Sequence, residues 1–140
     1  MSFPIVVYIL TALAAVAIIL TRLRLSGDDA AGRFSISRRL PVVHFVAGIL
    51  ALVLWLGVLV APEDTLVGGP LVGILAIALW WITAVCGLLI LARWLPAKGR
   101  HAPEATGDSW SKGPGLSLLA HLGMSVGVLV FTYAYLTAAV

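Results

Sequence analysis

Four long apolar runs constrain this chain more than any other feature. They cover Pro4–Leu23, Leu40–Ala61, Pro70–Leu91 and Leu116–Ala139, and none contains an aspartate or a glutamate. At about 1.5 Å per residue, roughly 20 helical residues cross the hydrocarbon core of a bilayer. Barrel strands are shorter and alternate apolar with polar residues, which these runs do not. Only 11% of the residues are charged and 61% are hydrophobic, whereas a soluble domain carries about 25% charged residues. The expectation is an all-α membrane protein: a four-transmembrane-helix bundle forming a single integral membrane domain over 1–140.

The charges set an expected orientation. All nine Lys and Arg fall in two segments, first Arg22, Arg24, Arg33, Arg38 and Arg39, then Arg93, Lys98, Arg100 and Lys112. The segment between the second and third runs holds Glu63 and Asp64 and no cation. By the positive-inside rule both basic loops are cytoplasmic and both termini lie outside. "MSFP" lacks a basic n-region, so the first run is read as a retained span rather than a cleaved signal. The net charge of +3 belongs to these loops and is no nucleic-acid signature. Arginine over lysine, with abundant Ala, Val, Leu and Gly, points to a bacterium with a GC-rich genome, and so to its plasma (inner) membrane.

Histidine is the chemically distinctive residue inside the runs. His44 stands three residues after Pro41 in the second, and His121 lies in "LSLLAHLGMSVG" of the fourth. Both helices run in the same direction, so both histidines fall near the same membrane face. Each has a small residue four positions later, Gly48 and Ser125, on the same helical face, where a flat group can approach the backbone. Imidazoles from two helices are the axial ligands of a b-type haem. Arg38, Arg39 and Arg93 stand at the level where haem propionates would need cations. Below His44 the same face continues through Ala51 to Trp55, and below His121 through Val128 to Thr132. Ser117 and Ser125 flank His121 at i−4 and i+4 and can set its tautomer, although backbone bonding is an equally ordinary use for them. Met124 is an alternative ligand, and His101 in the second basic loop is read as solvated.

Two functional readings follow. One is a small membrane subunit of a respiratory-type redox complex, binding haem b through His44 and His121 and exchanging electrons with quinone. The other is a cofactor-free accessory subunit packed against a larger membrane complex or a second copy of itself, with the histidines serving as interhelical hydrogen-bonding groups. Trp80–Trp81, mid-span, is expected to face a partner helix or a cofactor. Tyr8, Tyr133 and Tyr135 cluster at the opposite face, as interfacial anchors or around a quinone headgroup. Absences narrow the field. No span carries an acidic relay for proton coupling, and there is no nucleophile triad, phosphate loop, CxxC or HExxH. A self-contained enzyme is not expected. Each half of the chain is a span, a basic loop and a histidine-bearing span, which suggests a tandem arrangement around a pseudo-twofold axis.

Overall fold

A computed structural model describes residues 2–25, 39–94 and 114–140. It contains four helices: α1 (Phe3–Leu25), α2 (Arg39–Val60), α3 (Pro70–Trp94) and α4 (Pro114–Leu136). No strand occurs among the described residues. All four helices are long and apolar enough to cross a membrane, and the chain is a multi-pass membrane protein. Their outer faces present Leu13, Ile19, Leu50, Ile74, Leu122 and Leu129, a surface suited to lipid tails.

Local chemistry sets the helix ends. Pro70 and Pro114 open α3 and α4, where the missing N–H has no helical partner to lose and φ is already helical. Pro41 falls within the first turn of α2 for the same reason. α2 stops as Ala61 N bonds Gly57 O at 2.8 Å and Pro62 follows. The connection to α3 is held by Thr65, whose hydroxyl donates to Pro62 O and accepts from Gly68 N. A side chain at position 68 would meet the carbonyls of Ala61 and Pro62, so close approach demands glycine there. α4 ends earlier than the apolar run. Ala138 adopts φ 48°, Ala138 N bonds Tyr135 O at 3.2 Å and Ala139 N bonds Ala134 O at 2.9 Å. That pattern is a Schellman cap, which closes the helix before the apolar residues run out.

The helices pack in a ring, α1–α2–α3–α4, with α1 returning beside α4 and with α2 and α3 the closest pair. α2 and α4 are therefore diagonal partners. One face of α2 (His44, Ala47, Gly48, Ala51 and Trp55) is buried, as the spacing of His44, Ala51 and Trp55 predicts. In the half away from the histidines, Trp55 and Trp80 flank Phe131 with ring centres 5.2 and 5.5 Å apart from it. Trp55 Nε1 donates to Thr11 Oγ1 at 3.1 Å, tying α2 to α1, and Trp81 Nε1 donates to Thr132 Oγ1 at 3.1 Å, tying α3 to α4. Both Trp80 and Trp81 thus meet α4, as expected of a pair facing a partner helix. Thr11, Thr21, Thr83 and Thr132 each donate to the carbonyl four residues earlier, which satisfies a hydroxyl where no water can reach.

Candidate functional site

The bundle brings the two histidines together. His44 enters from α2 and His121 from the diagonal helix α4, and their ring centres stand 6.3 Å apart with the planes tilted by 37°. His44 is buried, at 7% exposure, and His121 is half-buried. A residue on a diagonal helix reaches its opposite number only across the bundle axis, so both side chains point inward.

The third wall is α3. A Cβ built on Gly87 would lie 3.0 Å from His44 Nε2, 3.2 Å from His121 Nε2 and 2.7 Å from His121 Cδ2. Both Nε2 atoms therefore converge on one point over the bare backbone of Gly87. In sequence Gly87 is one of fourteen glycines, and nothing in its neighbours separates it from those that merely let helices pack.

Hydrogen bonding fixes one of the two tautomers. His121 Nδ1 lies 2.6 Å from Ser117 O. A carbonyl only accepts, so Nδ1 carries the proton, and in the neutral ring Nε2, 3.2 Å from the Cβ position of Gly87, keeps its lone pair. The flanking serine acts through its backbone carbonyl. Ser125 donates its hydroxyl to His121 O at 2.9 Å, a backbone bond one turn further on. Among the described residues, His44 has no hydrogen bond at either ring nitrogen.

The small residue expected to form a notch beside His44 is differently placed. A Cβ on Gly48 would meet Ile18 Cδ1 at 3.2 Å and Thr83 Cγ2 at 3.3 Å, so side chains of α1 and α3 cover it. Gly87 supplies the bare surface beside the rings. Of the expected cations, Arg39 is exposed in the first turn of α2. Arg38 and His101 lie outside the described residues, as does the side chain of Arg93. Arg22, by contrast, stands 5.3 Å over the Phe45 ring and shares with His44 the wall of a cavity between α1 and α2.

Two spaces flank the pair on its α1 side. The first, ≈ 180 Å³, is lined by Ile18, Thr21, Arg22, Pro41, Val42, His44 and Phe45. The second, ≈ 680 Å³, is a cleft between α1 and α4 whose walls include Leu10, Ala17, Thr21, His121, Met124 and Gly127. Thr21 borders both, so the end of α1 stands between the two openings. Met124 faces this cleft. At the far end of the bundle Tyr8 donates to Leu59 O at 3.2 Å and Tyr135 to Pro70 O at 2.7 Å, while Tyr133 meets Phe3 edge-on at 5.7 Å.

The donor set suits a particular kind of ion. Among the described residues no third His, Cys, Asp or Glu joins the pair, so the protein offers a metal two imidazoles. Imidazole nitrogen binds transition metals at about 2.0–2.1 Å, which places ring centres on opposite sides of one ion roughly 6 Å apart. The observed 6.3 Å fits that spacing. Two imidazoles are a donor set that transition-metal ions and haem iron accept, while the backbone of Gly87 stands close against both rings. Comparison with known protein families, curated proteins and solved structures finds no match to this chain.

Proposed function

We propose that this chain is a membrane-embedded electron-transfer subunit that holds one b-type haem between α2 and α4 through His44 and His121. The observation that carries this reading is the state of His121. Its Nδ1–H is committed to the Ser117 carbonyl, and its free Nε2 faces His44 across Gly87. Metal-ligating histidines characteristically donate the other ring N–H in this way, which orients the ring and makes the ligating nitrogen more basic.

A bound haem would supply reversible one-electron chemistry at its iron. The chain's own residues do the rest. Ser117 O holds the tautomer of His121, and Gly87 keeps the space between the rings free of a side chain. Ile18 and Thr83, closing over Gly48, shut water out from below. Arg22, beside His44, provides a cation for a carboxylate at the bundle end, together with Arg38, Arg39 and Arg93 in the flanking basic segments. With those segments in the cytoplasm, the site sits near the cytoplasmic face of a bacterial plasma membrane and both termini lie outside. Its redox partner then approaches from that side, with quinone in the bilayer as the other electron-exchange partner.

The test is a reduced-minus-oxidised absorption spectrum of the protein purified from its native host. Low-spin haem bands with one haem per chain are the expected result; a fully assembled protein without them overturns the reading.

The second reading, a cofactor-free subunit of a larger membrane complex or homo-oligomer, draws on α4. Gly123 and Gly127 lie one turn apart there, on the wall of the α1–α4 cleft, with nothing within 4 Å of an added Cβ, an opening into which an apolar segment of a partner could pack. Under that reading the assembly migrates as a larger complex and carries no haem.

A further inference from the structure

The paired imidazoles also admit an occupant far smaller than a haem. In its neutral ring His121 Nε2 keeps a lone pair, because Nδ1–H is committed to Ser117 O at 2.6 Å. His44 is only 7% exposed, yet its ring has no hydrogen bond among the described residues. A polar ring buried that deeply costs free energy unless some partner satisfies it. Its Nε2 lies 3.0 Å, and that of His121 3.2 Å, from the same Cβ position on Gly87. The Gly87 backbone closes that side of the pair, so the space between the nitrogens suits a single ion. An ion about 2.0 Å from each nitrogen holds the ring centres roughly 6 Å apart, against 6.3 Å here.

The surroundings select the ion. Zinc completes a tetrahedron of four donors, but no third His, Cys, Asp or Glu joins the pair among the described residues. A divalent charge would also stand uncompensated, since none of the four apolar runs holds a carboxylate and bare charge inside a bilayer is costly. A monovalent closed-shell ion such as Cu(I) bonds two nitrogens in line, needs no further donor and brings half the charge. Imidazole is a good donor to copper. The wider opening to the pair is on the His121 side, where the ≈ 680 Å³ cleft between α1 and α4 is lined by both His121 and Met124. A thioether there favours the cuprous ion over harder ones.

We propose that His44 and His121 form a two-coordinate site for one bare cuprous ion. Both rings bind as neutral Nδ1–H tautomers, two copper–nitrogen bonds form, and no proton or electron is transferred. The proposal does not rest on haem binding, and the two occupants compete for the same nitrogens. The chain then holds reduced copper within the membrane, a role distinct from electron transfer.

Copper(I) is the probe, titrated without oxygen into the full-length, metal-free protein in nanodiscs against a chromophoric cuprous chelator. One ion per chain is expected, and zinc(II) at equal concentration should not displace it. His44→Ala and His121→Ala should each weaken binding by about 100-fold or more, beyond the loss usual for an outer partner of a ligand. Gly87→Ala, which crowds both nitrogens, should weaken it by about tenfold. X-ray absorption at the copper edge, read on the wild type alone, guards against variants that misfold; two nitrogen neighbours in a near-linear arrangement are expected. Binding no tighter than in the variant lacking both histidines overturns the site, as does a spectrum with sulfur neighbours or four donors. Haem bands in the protein from its native host, with copper(I) bound no better than in that double variant, remove this proposal and leave the haem reading. One copper(I) per chain on the two histidines, with no haem in the native preparation, does the reverse.

Discussion

Replacing Gly87 by alanine isolates the geometry on which the site depends. The added methyl would sit 2.7 Å from His121 Cδ2, 3.0 Å from His44 Nε2 and 3.2 Å from His121 Nε2. Ordinary carbon contacts need about 3.5–4.0 Å, so the His121 ring must retreat by roughly an ångström and His44 by somewhat less. His44 can retreat toward the α1–α2 cavity, and His121 toward the α1–α4 cleft only by giving up its bond to Ser117 O. Overpacking of this kind costs about 1–3 kcal/mol, while exchanging Gly for Ala within a helix returns about 1 kcal/mol. The fold should therefore survive with a net loss of about 0–2 kcal/mol in detergent unfolding. Binding responds more sharply. The strain falls on the ligating atoms, and each 1.4 kcal/mol of it weakens affinity about tenfold. Haem titration of Gly87→Ala should show at least a tenfold loss of affinity and a shift away from the low-spin spectrum. Gly123→Ala is the control: nothing lies within 4 Å of its added Cβ, so haem affinity should be unchanged and helix stability equal or higher. Unaltered affinity and spectrum in Gly87→Ala would falsify the convergence of both Nε2 atoms on this glycine as the basis of the site.

Other perturbations address the remaining links. His44→Ala and His121→Ala should each abolish the low-spin spectrum, and the double variant should add little to the loss, because the two residues complete one coordination sphere; additive losses would assign them separate roles. Thr11→Val removes the acceptor for Trp55 Nε1 in a fully buried layer and should cost about 1–3 kcal/mol in unfolding measurements, with haem content unchanged. Ala138→Gly relieves the left-handed backbone at the α4 cap and should stabilise the chain by about 1 kcal/mol; no gain in unfolding free energy would show that the cap is not strained.

The spans were legible in the sequence because a bilayer selects for length and apolarity, and both can be counted along the chain. The apolar runs predict all four helices to within three residues at each end. The ends of α3 and α4 differ most, by three residues each: α3 runs on to Trp94, while backbone hydrogen bonds to Ala134 and Tyr135 stop α4 where the residues remain apolar. His44 and His121 could be picked out as well, because imidazoles inside such runs demand a reason.

Which way each side chain points could not be read in the same manner. In a span the outer face contacts lipid and the inner face contacts other helices, and both are apolar, so periodicity that locates the core of a soluble helix is nearly silent here. Only the packing of α2 and α4 on opposite corners of the ring turns the two histidines toward one point. Only the seating of α3 distinguishes Gly87 from Gly123: a Cβ on the first meets both imidazoles, and on the second meets nothing. The same packing covers Gly48 with Ile18 and Thr83 and sets Arg22 beside His44. The tautomer of His121 also depends on local geometry, since Ser117 precedes it by one helical turn in any helix, but only the ring's rotamer brings Nδ1 to 2.6 Å from the carbonyl. The sequence by itself determined that four helices cross a membrane and that two of them carry imidazoles. The tertiary structure decided that those imidazoles meet, because contacts between apolar helices depend on shape, and shape is not encoded in hydropathy.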